Sequence, residues 1–243
     1  GYGKEALHGF LEGKRMREVE HRSGTEEAVL VLAYDFDGED PGYPFKLSVQ
    51  LKYTLSAKGF AVTTTAKNRA VSGGPLPFYN SWHSYFAVPE IAQATVELDR
   101  CSGWNHISVT NGSNLYSDLI PTGETTPFKG LDGSAPIGGT RDEPTYYDDE
   151  FKATASTQEC PFLTVKVKQT GVASAVLWMD PSFRWVQIYT GTKINMGRQA
   201  IAVEAMSGQC DSWNNMQGIR LLQAGESWSG MFGVTLEGMH AVV

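Results

Sequence analysis

Between Phe45 and Leu55 every second residue is apolar. Phe45, Leu47, Val49, Leu51, Tyr53 and Leu55 alternate with Lys46, Ser48, Gln50, Lys52 and Thr54. A repeat of two fits the pleat of a half-buried β-strand and cannot gather its apolar residues on one side of a helix. The turn Ser56-Ala57-Lys58-Gly59 then leads into Phe60-Ala61-Val62-Thr63-Thr64-Thr65, which predicts a hairpin. Further strands are predicted at Ala28–Phe36, Ala94–Asp99, Leu163–Lys168, Ala175–Met179, Trp185–Tyr189, Ala200–Ala205 and Met231–Leu236. No stretch has the pattern of a long amphipathic helix. Many strands without alternating helices imply an all-β antiparallel sandwich or barrel. Without a linker or an internal repeat, residues 1–243 read as a single domain. The Gly/Pro/Thr-rich stretch from Pro121 to Pro144 reads as a loop of a length that is usually either functional or disordered.

Composition excludes several classes. The net charge is −7 and the pI about 5.3, with no Lys/Arg-rich run. That is not the electrostatic footprint of a nucleic-acid binder. No apolar run approaches the ~18 residues of a membrane-spanning helix. The three cysteines, Cys101, Cys160 and Cys210, are far apart and lack zinc-ligand spacing. They are expected as free thiols in a reducing compartment, and with no leader sequence in view the expected location is the cytoplasm. Asn111-Gly112-Ser113 fits a glycosylation sequon, a triplet common by chance. Gly1-Tyr2-Gly3-Lys4-Glu5-Ala6 mimics a dinucleotide fingerprint but lacks the preceding strand such a site needs.

Three stretches hold chemistry. Asn80-Ser81-Trp82-His83-Ser84-Tyr85-Phe86 sets a histidine among aromatics. Imidazole is the side chain best suited to give or take a proton near neutral pH, although a lone histidine in such surroundings is more often a core residue. In Ala200-Ile201-Ala202-Val203-Glu204-Ala205-Met206 a glutamate interrupts an apolar strand. Either Glu204 faces solvent, or it is a buried base with a raised pKa, and the motif alone does not choose. Tyr146-Tyr147-Asp148-Asp149-Glu150-Phe151 packs three acids between aromatics. For at least two of them a solvated loop is the expected setting, with calcium a conceivable ligand.

In order along the chain come His8-Gly9, Gly42-Tyr43-Pro44, the Asn80–Phe86 motif, Leu119-Ile120-Pro121-Thr122-Gly123-Glu124, Asp148 with Phe151, Tyr189-Thr190-Gly191, Val203-Glu204 with Asn214, and Leu221-Leu222-Gln223-Ala224-Gly225-Glu226. That order resembles the aldose 1-epimerase (galactose mutarotase) family over nearly the whole chain. The resemblance implies a large antiparallel β-sandwich of the galactose mutarotase-like type, with a sugar cleft on a curved sheet. It implies interconversion of the α and β anomers of a free hexose, of galactose or glucose type, with no metal or organic cofactor. Glu204 matches the family's general base and His83 its general acid. His8 matches a histidine near the sugar ring oxygen, and Asp148 an aspartate that binds sugar hydroxyls. Asn80 is a further expected sugar contact, and Trp82 or Trp213 is expected against the apolar ring face. Family members carry strands upstream of the His-Gly motif, including an arginine that lines the site. The expected fold is therefore a sandwich lacking those N-terminal strands. Ser84 stands where many relatives have proline.

Two other functions remain open. A hexose-6-phosphate mutarotase would need basic residues for the phosphate, for which Lys14, Arg15 and Arg17 are candidates. A non-catalytic sugar-binding or regulatory module could use the same scaffold. A glycosidase, which would need two carboxylates flanking the bond such as Glu204 and Asp148, is a more distant reading that the family resemblance argues against.

Overall fold

The computed structural model describes residues 8–110, 120–139, 145–190 and 200–238. The strands in chain order are β1 (Arg17–Ser23), β2 (Glu27–Asp37), β3 (Lys46–Ser56), β4 (Gly59–Asn68), β5 (Leu76–Phe78), β6 (Ser81–Ala87), β7 (Thr95–Leu98) and β8 (Trp104–Val109). They continue with β9 (Pro121–Phe128), β10 (Asp148–Ala153), β11 (Leu163–Lys168), β12 (Ser174–Met179), β13 (Trp185–Tyr189), β14 (Ala200–Met206), β15 (Arg220–Leu222) and β16 (Ser227–Glu237). The described helix is limited to a 3-10 turn at Ile91–Gln93 and the four-residue α1, Ser212–Asn215. The fold is thus an all-β antiparallel sandwich, as the alternation predicts.

The chain forms two compact units, residues 1–78 with 220–230, and residues 79–219 with 231–243. In the first, β1 to β4 form an antiparallel meander in sequence order, and β5 pairs with β15. The β2–β3 and β3–β4 registers run without a break from the Ser56–Gly59 turn, so the apolar set of β3 stays on one face. Phe36, Tyr43, Leu47, Val49, Ala66, Leu76, Phe78 and Leu222 make a buried cluster there. Tyr43 donates its hydroxyl to the Pro77 carbonyl at 2.8 Å and stacks on Phe10 at 5.1 Å. Phe10 anchors the His8-Gly9 turn, in which both residues are left-handed, with φ of 63° and 77°. Histidine is among the few side chains that tolerate this region with any frequency.

The second unit contains a six-stranded sheet ordered β6-β14-β13-β10-β8-β9, together with β7, β11, β12 and the end of β16, paired in the order β16-β12-β11-β7. One pleat face of the six-stranded sheet is mostly apolar, interrupted by Asp149 with His106 and by Ser84. Phe151, Val186, Ile188, Ile201, Val203 and Ala205 all lie on it and all are fully buried. Trp82 stacks on Phe232 of β16 at 4.7 Å, and Phe183 meets the same ring edge-on.

Three expectations are corrected. The stretch after Pro121 is not all loop, because Pro121–Phe128 is β9, paired with β8. Its two prolines fit because β9 is an edge strand, where a missing N–H breaks no ladder. The acidic run is not a solvated loop. It opens β10, and Asp148, Asp149 and Glu150 are all buried. Cys101 and Cys160 are not free thiols; they form a disulfide across 59 residues, leaving Cys210 unpaired.

Candidate active site

The second pleat face of the six-stranded sheet carries a row of polar side chains. In register, Glu150 of β10 faces Gln187 of β13, Gln187 faces Glu204 of β14, and Glu204 faces His83 of β6. Directly opposed residues on antiparallel strands share a face with Cβ atoms about 5 Å apart, so the row is continuous. It runs from solvent inward. The His83 side chain is 32% exposed and that of Glu204 12%, while Gln187 and Glu150 are buried. The neighbouring row sets Asp148 opposite Tyr189, Tyr189 opposite Ala202, and Ala202 opposite Tyr85.

His83 Nε2 lies 3.3 Å from Glu204 Oε1. A proton on either group can pass to the other. Burial, with the Asp148 carboxylate as a lesser cause, pushes Glu204 from 4.5 up to about 8. The choice left open by the sequence is thereby resolved in favour of a shielded carboxyl close to neutral pH. Tyr85 stacks on His83 with centroids 4.9 Å apart and is itself partly exposed. It is an aromatic that borders the acid–base pair.

The three acids of β10 diverge. Asp148 accepts a hydrogen bond from Gln187 Nε2 at 2.9 Å. Asp149 points to the other face, 2.7 Å from His106 Nε2. Glu150 accepts from the Cys210 backbone N–H at 3.1 Å, and burial raises it to about 8. They therefore do not converge on a calcium ion. Among the described residues, the one group with ligand atoms close enough to share a metal is Asp99 with Cys101 and Cys160, whose sulfurs are bonded to each other.

The structure thus gathers His83, Glu204 and Asp148 on one face. Asn80, just before β6, is tied to the end of β14 through its backbone, its N–H donating to Ser207 Oγ and its carbonyl accepting from the Ser207 N–H, both at 2.9 Å. Trp82 is not brought there. It neighbours His83 in sequence, so the pleat turns it to the opposite face, onto Phe232. Trp213 is exposed on α1. His8 belongs to the first unit. Sequence reasoning missed Gln187, Glu150 and Tyr85. Gln187 left one signal, being the sole polar residue between Val186 and Tyr189 in an otherwise apolar strand.

The family model for aldose 1-epimerase matches residues 1–235. The chain belongs to the aldose 1-epimerase family. A galactose mutarotase-like protein from Clostridium acetobutylicum superposes with a TM-score of 0.77 at 20% identity, covering 96% of this chain and 69% of that one. A GalM/aldose epimerase homologue from C. elegans gives 0.67 at 14% identity, over 93% and 70%. Galactose 1-epimerase from Lactobacillus acidophilus gives 0.64 at 15% identity, over 91% and 66%. At these identities the likeness is one of fold. No curated protein matches the sequence.

Proposed function

We propose that this family member is an aldose 1-epimerase that interconverts the α and β anomers of a free hexose by general acid/base ring opening and closure. The observation that supports it most is the Glu204–His83 pair, 3.3 Å apart at the open end of a polar row, with the carboxyl moved close to neutral pH. Ring opening takes the proton from the anomeric hydroxyl and delivers one to the ring oxygen. Glu204 takes the first and His83 gives the second. Rotation about the C1–C2 bond presents the other face of the aldehyde, and closure runs the transfers in reverse with the roles exchanged. Each well-placed group contributes about 10²–10⁴-fold. Asp148 accepts from sugar hydroxyls, and Tyr85 offers an aromatic surface beside the pair.

The 6-phosphate reading has less support. Lys14 rests over the Tyr34 ring at 5.9 Å and Arg17 lies 3.9 Å from Asp35. A comparison of exchange rates for glucose and glucose 6-phosphate separates the two substrates. Among the described residues no helix is long and apolar enough to cross a membrane. The Cys101–Cys160 disulfide favours an oxidising compartment over the cytoplasm. Loss of enzyme-catalysed exchange in Glu204→Gln tests the reading directly. An unchanged rate in that variant would refute the assigned base.

A further inference from the structure

Four buried side-chain polar atoms lack a hydrogen-bond partner among the described residues, namely Thr110 Oγ1, Glu150 Oε2, Trp185 Nε1 and Gln187 Oε1. Two of the four belong to residues that face each other. Glu150 and Gln187 are paired in the β10–β13 register, and both are almost wholly buried, at 3% and 5% exposure. Orphaned polar atoms in such places cost the fold a desolvation penalty, so a missing proton is the first thing to seek. As two bare acceptors, Oε2 and Oε1 cannot bond. One proton on Glu150 satisfies both at once.

The remaining atoms of the pair are already committed. Glu150 Oε1 accepts from the Cys210 N–H at 3.1 Å, and Gln187 Nε2 donates to Asp148 Oδ1 at 2.9 Å. A flipped amide offers no escape while Glu150 is ionised. Nε2 would then serve Glu150, and the amide oxygen would confront the Asp148 carboxylate. The chain Glu150–Gln187–Asp148 therefore needs one proton, and its position decides which end stays an acceptor.

We propose that Glu150 is a positioning residue whose carboxyl donates from Oε2 to Gln187 Oε1, locking the amide so that its Nε2 holds Asp148 as an ionised, oriented acceptor. The sugar-binding part of this inference rests on the mutarotase reading above; the proton assignment does not. The surroundings agree with it. Burial is the main cause of the raised Glu150 pKa, while the Cys210 N–H and thiol and the charge of Lys152 on the same strand lower it. Cys210 is itself pushed upward, chiefly by burial, so the thiol stays neutral. The Tyr79 hydroxyl, raised chiefly by burial, stays neutral as well. An uncharged Glu150 spares this face a third carboxylate beside Asp148 and Glu204.

The test has two arms. In the first, the carboxyl carbon of Glu150 is followed by NMR in protein labelled at glutamate, its signal assigned by its absence from Glu150→Gln. The expected result is a protonated carboxyl at about pH 6, where an ordinary glutamate is ionised. An ionised signal there overturns the lock, whatever the enzyme does. In the second arm, KM and kcat for anomer exchange are compared in wild type, Glu150→Gln and Glu150→Met. Glutamine keeps both a donor toward Gln187 and an acceptor for the Cys210 N–H, and should hold KM within about twofold. Methionine keeps the volume but neither bond, and should raise KM about tenfold with a smaller change in kcat. Equal KM values for the two variants overturn the positioning role. Absence of exchange in wild type refutes the mutarotase reading and with it the sugar-binding role, while the proton assignment still stands or falls by the first arm.

Discussion

Replacing Glu204 with glutamine is expected to abolish catalysis and yet stabilise the protein, and the size of the gain follows from its burial. In the folded chain Glu204 titrates at about 8 against an ordinary 4.5. Between those values the folded state keeps a proton that the unfolded chain has released. Stability therefore falls as pH rises through this window, and below 4.5 the carboxyl has no effect. Each pH unit of displacement corresponds to ~1.4 kcal/mol, so the full loss is about 5 kcal/mol once both states are ionised. Glutamine has no proton to lose. The difference in unfolding free energy between Glu204→Gln and wild type should thus grow by about 3.5 kcal/mol between about pH 5 and about pH 8. Urea denaturation followed by tryptophan fluorescence reads this well, because five of the six tryptophans belong to the second unit with Glu204. Parallel stability curves for the two proteins would refute the shielded carboxyl, and with it the physical basis for a base poised near neutrality.

Other consequences are equally open to measurement. Replacing Cys101 and Cys160 by serine should lower the unfolding free energy by about 4 kcal/mol, since the bond closes a 59-residue separation; thiol titration of the unreduced, unfolded chain should find Cys210 alone. Trp82→Ala, which removes the ring stacked on Phe232, should cost roughly 3 kcal/mol in urea unfolding while leaving the KM for sugar within about twofold. A plot of kcat/KM against pH should be a bell whose acidic limb follows Glu204 toward about 8; a limb near 4.5 would contradict its burial.

β11 was legible because its strict alternation is a local signal, and β13 because it is a short apolar run rich in β-branched and aromatic residues; both have the bounds their sequences predict, Leu163–Lys168 and Trp185–Tyr189. β10 was hidden because three consecutive acids resemble a solvated turn. What makes their burial tolerable is remote in the chain: Gln187 for Asp148, His106 for Asp149, the Cys210 N–H for Glu150. β9 was hidden by Pro121 and Pro127, which only its edge position accommodates. The disulfide needed the fold to bring Cys101 to Cys160. Of the site, Glu204 and His83 could be named only from the family resemblance, since their motifs alone left the choice open, and their contact depends on strand pairing across more than a hundred residues. Trp82 could have been set aside without a structure, since neighbours on a strand face opposite ways and His83 already claims the polar side.

Anomer exchange measured by NMR tests the central claim most directly, using α-galactose and α-glucose with the wild-type chain and Glu204→Gln. Exchange above the spontaneous rate in wild type, lost in the variant, is the predicted result. Exchange no faster than in buffer, or a rate that survives the substitution, would contradict the account.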